Sequence, residues 1–149
     1  MGLTVTTRAG ADDARPLACG VVEPVGDVNG LVIDCADPVA LARFWGSVFA
    51  TDVDSVEDEP PRYVDLRSRP GLPVLRFQRV PELKTVKNRL HLDIEVASLD
   101  DAVACVVDLG ARPLRPRDTD YGWHYRVMAD PEGNEFCLIE QAGDTLDPP

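Results

Sequence analysis

Residues 88–96 read N-R-L-H-L-D-I-E-V. Leu90, Leu92, Ile94 and Val96 alternate strictly with His91, Asp93 and Glu95. Side chains on a strand point to opposite faces with period two. The spacing therefore predicts a strand over residues 90–96. One face is apolar and packs on a core. The other carries an imidazole and two carboxylates in a row, as a solvent face or as the floor of a site.

The chain downstream continues the unit. Ser98-Leu99-Asp100-Asp101 is a capping-box pattern with an acidic residue at the third helical position. Ala102, Cys105, Val106 and Leu109 fall on one helical stripe, and Gly110 stands where a C-terminal glycine cap belongs. Strands are expected near residues 112–115, 124–129 and 135–140. The last two are joined by D-P-E-G-N, residues 130–134, a tight hairpin turn.

Upstream the same order appears. Leu31, Ile33 and Cys35 alternate with Val32 and Asp34, and Asp37-Pro38 supplies a helix N-cap with proline at the first helical position. Leu41, Phe44, Trp45 and Val48 form the stripe that follows, with Phe44 and Trp45 read as core. Strands are expected near residues 52–56, 63–67 and 73–79, with turns at Pro60-Pro61 and Pro70-Gly71. An offset of 61 maps Leu41, Phe44, Trp45 and Val48 onto Ala102, Cys105, Val106 and Leu109, and Leu31 and Ile33 onto Leu92 and Ile94. An internal repeat fixes architecture. The expectation is an α+β fold: two tandem βαβββ modules forming one curved mixed sheet around a cleft, with the helices on the outer face. The boundaries are a weakly patterned N-terminal extension at 1–28, a domain at 29–141 and a C-terminal tail at 142–149. The domain divides into a module at 29–80, a linker at 81–88 and a module at 89–141.

The 149 residues suit one domain with a real core, and 44% apolar content is that of a globular chain. A formal charge of −11 repels phosphate backbones and anionic lipid, which argues against nucleic acid and membrane as partners. No apolar run approaches the roughly 20 residues of a membrane span. The first ten residues are too polar for a signal peptide, and the four cysteines, Cys19, Cys35, Cys105 and Cys137, include no C-x-x-C pair. Three of them fall in apolar periodic segments and read as small buried hydrophobes. A reduced, cytoplasmic setting is the simplest expectation.

The two βαβββ units, the D-P-x-x-L-x-x-F-W helix start at residues 37–45, the strand at 88–96 and the closing D-P-E-G-N-E-F-C at 130–137 resemble the vicinal oxygen chelate superfamily. That superfamily includes glyoxalase I, bleomycin-resistance proteins and extradiol dioxygenases. The nearest likeness is its glyoxalase-like branch common in actinobacteria, and the resemblance covers residues 29–141. It implies a homodimer and, in metal-dependent members, an ion held by four side chains. Those positions fall here on Gly30, Gln78, His91 and Cys137. Glycine offers no ligand, and cysteine stands where an acidic residue is expected. No complete metal site is therefore expected, although Gln78 and His91 remain acceptable ligands for a divalent metal.

The alternation places Asp34, Arg76 and Gln78 on the cleft face of the first unit and His91, Asp93, Glu95, Glu135 and Cys137 on that of the second. His91 reads as a catalytic proton carrier or as a histidine bonded to Asp93. The acids read as pocket groups or as a salt-bridged polar face. Trp123, with Tyr121 and Tyr125, reads as an aromatic loop at the cleft mouth or as a packed surface loop. Cys137 reads as a buried thiol and His124 as exposed. The preferred function is a glyoxalase/bleomycin-resistance-like protein that binds a small organic molecule in the cleft. The alternatives are a metal-dependent lyase, isomerase or dioxygenase, and a non-catalytic interaction module with a filled cleft.

Overall fold

Two capped helices and two mixed sheets carry the architecture. The computed structural model describes residues 28–54, 59–68, 70 and 73–142. The extension at 1–27, residues 55–56 of an expected strand, Gly71 and the tail from 143 lie outside the described residues. The first sheet has the order β1-β3-β2, with β1 at Gly30–Cys35, β2 at Tyr63–Asp65 and β3 at Val74–Arg79. β1 runs parallel to β3, and β2 antiparallel to it. The helix α1, Pro38–Val48, lies between β1 and β2 in sequence.

The second sheet has the order β4-β8-β7-β5, with β6 also paired to β7. Its strands are β4 (Asp93–Glu95), β5 (Arg112–Pro113), β6 (Asp118–Asp120), β7 (Trp123–Ala129) and β8 (Glu135–Gln141), and α2 spans Leu99–Asp108. Here β4 runs parallel to β8. Val32 faces Arg76 in the first parallel pair and Asp93 faces Cys137 in the second, each 61 residues further on. The fold is α+β with two tandem units, β1-α1-β2-β3 and β4-α2-β5-β6-β7-β8, each a strand and a helix followed by further strands. Its ladders form two mixed sheets instead of one continuous curved sheet, because β1 and β4 share no hydrogen bond among the described residues.

The caps form as their residue types dictate. The Asp37 carboxylate accepts from the N–H groups of Val39 and Ala40, both at 3.1 Å. The Ser98 hydroxyl accepts from Asp101 N–H. A side-chain cap of this kind is worth about 1 kcal/mol. The α1 stripe is buried as expected, with Leu41, Phe44 and Trp45 inside. In α2 the buried residues are Leu99 and Val106, with Ala102 and Val103 packed beside them. The α2 stripe therefore begins at Leu99, and Cys105 is exposed, where a buried hydrophobe was expected.

Elements at the margins differ from the pattern. β4 occupies three of the seven expected residues. The strand near 52–56 is a single bridge from Val53 to Leu66 among the described residues. Residues 118–120, D-T-D, for which no strand was expected, form β6 and turn into β7 through Tyr121 and Gly122, both with positive φ. His124 is half-buried, and its Nδ1 lies 2.8 Å from the Thr119 hydroxyl.

One core serves both units. Phe44 and Trp45 of α1 meet Phe136 of β8 edge-on, with ring centroids 6.3 and 5.1 Å apart. The turn between β7 and β8 locks this contact. Asp130 is 1% exposed, and its carboxylate accepts from Glu132 N–H, Asn134 N–H, the Asn134 side chain and Trp45 Nε1. Two residues on, the Glu132 carboxylate accepts from the N–H groups of Ala36 and Asp37, beside the start of α1. The D-P-E-G-N motif is thus a structural clamp between the units.

Candidate functional site

The three residues that the β4–β8 pairing brings together are His91, Asp93 and Cys137. Their ligand-type atoms all lie within 4.8 Å of one another. His91 Nε2 is 3.3 Å from Asp93 Oδ1. Asp93 faces Cys137 in the register, and Cys137 N–H donates to Leu92 C=O at 2.8 Å. Burial pushes the Cys137 thiol up to about 11, helped by the Asp93 charge and hydrogen bond. The thiol is therefore a proton donor to Asp93, not an activated nucleophile. The carboxylate is thus within reach of both the imidazole and the thiol. Tyr125 lies further along the same face, its phenol raised by burial and then by Asp118, whose Oδ2 it meets at 3.3 Å.

The remaining expected site residues divide. Arg76 is committed to Asp65 by two hydrogen bonds of 2.7 and 2.6 Å, a bidentate pair that none of Asp34, Asp93 or Glu95 enters. Gln78 is half-buried beside Asp34 in the β1–β3 register. Asp34 is exposed, and Trp123 is half-buried at the start of β7. Glu135 is held by Lys84 at 3.3 Å and accepts from Asn88 N–H at 2.6 Å. Burial alone would raise its carboxyl, but these two donors outweigh it and hold the group below its usual value.

A wide, open concavity of about 560 Å³ lies beside the end of α1, between Arg43 and Val53; two smaller cavities lie on the seam between β1 and β4. The larger seam cavity, about 290 Å³, is lined by Leu31, Phe49, Leu66, Leu75, Leu92 and Ile94, with Thr51, Arg67, Asp93 and Glu95. A second of about 190 Å³ includes Val32, Leu90, His91, Asn134 and Glu135. Leu31 and Leu92 line both. Asp34, Arg76, Gln78, Trp123 and Cys137 line neither. Sequence reasoning missed the apolar liners, because alternation on β1 and β4 marked them as core. The signal available was that Leu31 and Leu92 are 61 residues apart and so stand at equivalent positions.

The donor set fits a three-ligand ion better than the four-ligand centre that the resemblance implies. Zinc bonds nitrogen, oxygen and sulfur at about 2.0–2.3 Å. Three donors this close could share one ion with small side-chain rotations. All three belong to the second unit. Gly30 offers no side chain, and Gln78 belongs to the first sheet.

A family model described as a glyoxalase-like domain matches residues 30–139. Comparison with curated proteins finds no match. Among solved structures, a glyoxalase/bleomycin resistance protein/dioxygenase family enzyme from Burkholderia phytofirmans PsJN is 22% identical with a TM-score of 0.62, covering 78% of this chain and 99% of that one. A glyoxalase-related enzyme from Fulvimarina pelagi is 19% identical with a TM-score of 0.62, covering 78% and 89%. A glyoxalase/bleomycin resistance protein/dioxygenase from Nocardioides is 12% identical with a TM-score of 0.64, covering 85% and 91%. At these identities the likeness is one of fold. With the family model spanning both units and the clamp between them, the chain belongs to the glyoxalase-like domain family of the vicinal oxygen chelate superfamily.

Proposed function

We propose that this protein binds a small organic molecule in the seam between its two units, without a four-ligand metal centre. The supporting observation is the larger seam cavity, about 290 Å³, lined by apolar side chains from both units. Binding sites for small molecules are concave, mostly apolar and close to this size at their lower end. His91, at the neighbouring cavity, serves as the proton-handling residue of any reaction there, oriented by Asp93. The molecule is not drawn from nucleic acid or membrane, given the charge of −11. The protein works in the cytoplasm as a homodimer.

A thermal-shift screen of metabolites and drug-like aromatics tests this. The expected result is a stabilising ligand whose effect disappears in Leu92→Trp, which fills the seam. Hits that stabilise Leu92→Trp as strongly as the wild type would overturn the reading.

The His91, Asp93 and Cys137 group supports a second reading, a divalent metal acting as a Lewis acid in a lyase, isomerase or dioxygenase of this superfamily. Cobalt(II) titration tests it. A thiolate-to-cobalt absorption band that is lost in Cys137→Ser supports this reading. Less than about a tenth of an equivalent bound, where a three-ligand site should fill, would sink it.

A further inference from the structure

A strand face lines a cavity with every second residue. The larger seam cavity is lined by four consecutive residues, Leu92, Asp93, Ile94 and Glu95. It therefore runs along the edge of β4, not over one of its faces. The ladder agrees. Cys137 N–H donates to Leu92 C=O, and Val96 N–H donates to Ile139 C=O. In a parallel pair alternate residues bond to the neighbour, so Leu92, Ile94 and Val96 turn their main-chain groups to β8. The N–H and C=O groups of Asp93 and Glu95 point the other way, into the seam.

β1 has the same arrangement. Asn29 C=O accepts from Val74 N–H, and Cys35 C=O accepts from Val80 N–H, so Gly30, Val32 and Asp34 turn outward. Among the described residues two unpaired strand edges thus border the seam, and of β1 only Leu31 lines the larger seam cavity. Open edges are templates for another extended chain. Beyond Asp93 and Glu95, main chain and carboxylates together, the cavity offers little that is polar. The Thr51 hydroxyl already donates to Arg67 C=O, and Arg67 is paired with Asp52 at 3.3 Å.

We propose that the seam ligand is recognised by the main chain of β4. It is an apolar molecule with an extended amide edge, such as a short peptide or an acylated amino-acid amide, added beside Asp93–Glu95 as one more strand residue. This rests on the reading that the seam is the binding site.

N-acetyl-L-phenylalanine methylamide is the probe, followed by amide NMR. The expected result is saturable movement of the Asp93 and Glu95 amide resonances. Methylation of the phenylalanine nitrogen, which removes the donor for a β4 carbonyl, should weaken binding at least about tenfold. Glu95→Pro should do the same while keeping the fold, because that N–H is not part of the ladder. A second measurement needs no variant. In the free protein the Asp93 and Glu95 amides should exchange with solvent far faster than those of Ile94 and Val96. Equal binding of probe and methylated probe, no binding of the probe, or protected Asp93 and Glu95 amides would each overturn the inference. A screened ligand still sensitive to Leu92→Trp would then leave the seam reading standing, and insensitivity would remove both.

Discussion

The parallel pairs β1–β3 and β4–β8 share a register at a spacing of 61, yet they carry opposite chemistry. Gly30, Val32 and Arg76 occupy the backbone positions that hold His91, Asp93 and Cys137 in the second unit. In the first unit the one charge of the set is neutralised by Asp65 in a bidentate pair. In the second, an imidazole, a carboxylate and a protonated thiol are left within reach of one another. One backbone scaffold therefore supports a salt-bridged wall and a wall with three clustered donor side chains, and the difference lies in three side chains.

The clamp that joins the walls should give the largest effect. Asp130→Ala leaves Trp45 Nε1 and the turn N–H groups without their acceptor inside the fold. The expected loss is about 3–4 kcal/mol in urea unfolding, since orphaned buried donors cost about 1–3 kcal/mol each and the turn relaxes in part. The two cores should then behave alike. Phe77 and Leu138 are equivalent, and both are essentially inaccessible. Phe77→Ala and Leu138→Ala should each cost about 3–4 kcal/mol. A cost below about 1 kcal/mol in one of them would break the equivalence of the halves.

The wall that lacks a donor should resist receiving one. A Cβ on Gly30 would stand 3.0 Å from the Val74 carbonyl oxygen, a backbone atom. Gly30→Ala should therefore cost about 1–2 kcal/mol, a close-packing penalty of the overpacking kind, and Gly30→His at least as much. Chemistry in the second wall can be read without unfolding. With Cys137 held at about 11, its alkylation, followed by peptide mapping, should climb steeply above pH 9. Asp93→Asn removes a neighbouring negative charge and should speed the reaction at pH 9 several-fold, with burial still holding the thiol high. An unchanged rate would mean that the carboxylate does not act on the thiol.

The smallest effect belongs to Glu135. Its carboxyl is held below the usual value in the folded state, so its contribution is present above the unfolded-state pKa and is lost as pH falls through the folded-state value. Glu135→Gln should lower stability near neutral pH by about 1 kcal/mol or less. The difference from wild type should vanish in acid.

The helices and the parallel registers were legible because their signals are local or additive. Asp37-Pro38 and Ser98 name the caps, and a constant offset carries β1 onto β4 and β3 onto β8. The D-P-E-G-N turn was legible as a turn. Its contact with Trp45, 85 residues away, was not, because no spacing links them. The same holds for Arg76, whose partner Asp65 is set by the β2–β3 register. The candidate site was half legible. Period two tells which face a side chain takes, so His91, Asp93 and Cys137 were found together. It says nothing of strand edges, and the larger seam cavity lies along one. β6 was missed since D-T-D has no apolar alternation to mark it.

The Glu132 bridge to the start of α1 has a consequence for how the chain can be divided. The segment that leads into the helix of the first half is held by a carboxylate that the second half supplies, 95 residues later. A gene cut within codons 81–88 should therefore yield two fragments that stay unfolded apart and recover the native spectrum when mixed. The two units should then unfold in one transition, because the turn between β7 and β8 holds the segment that leads into α1.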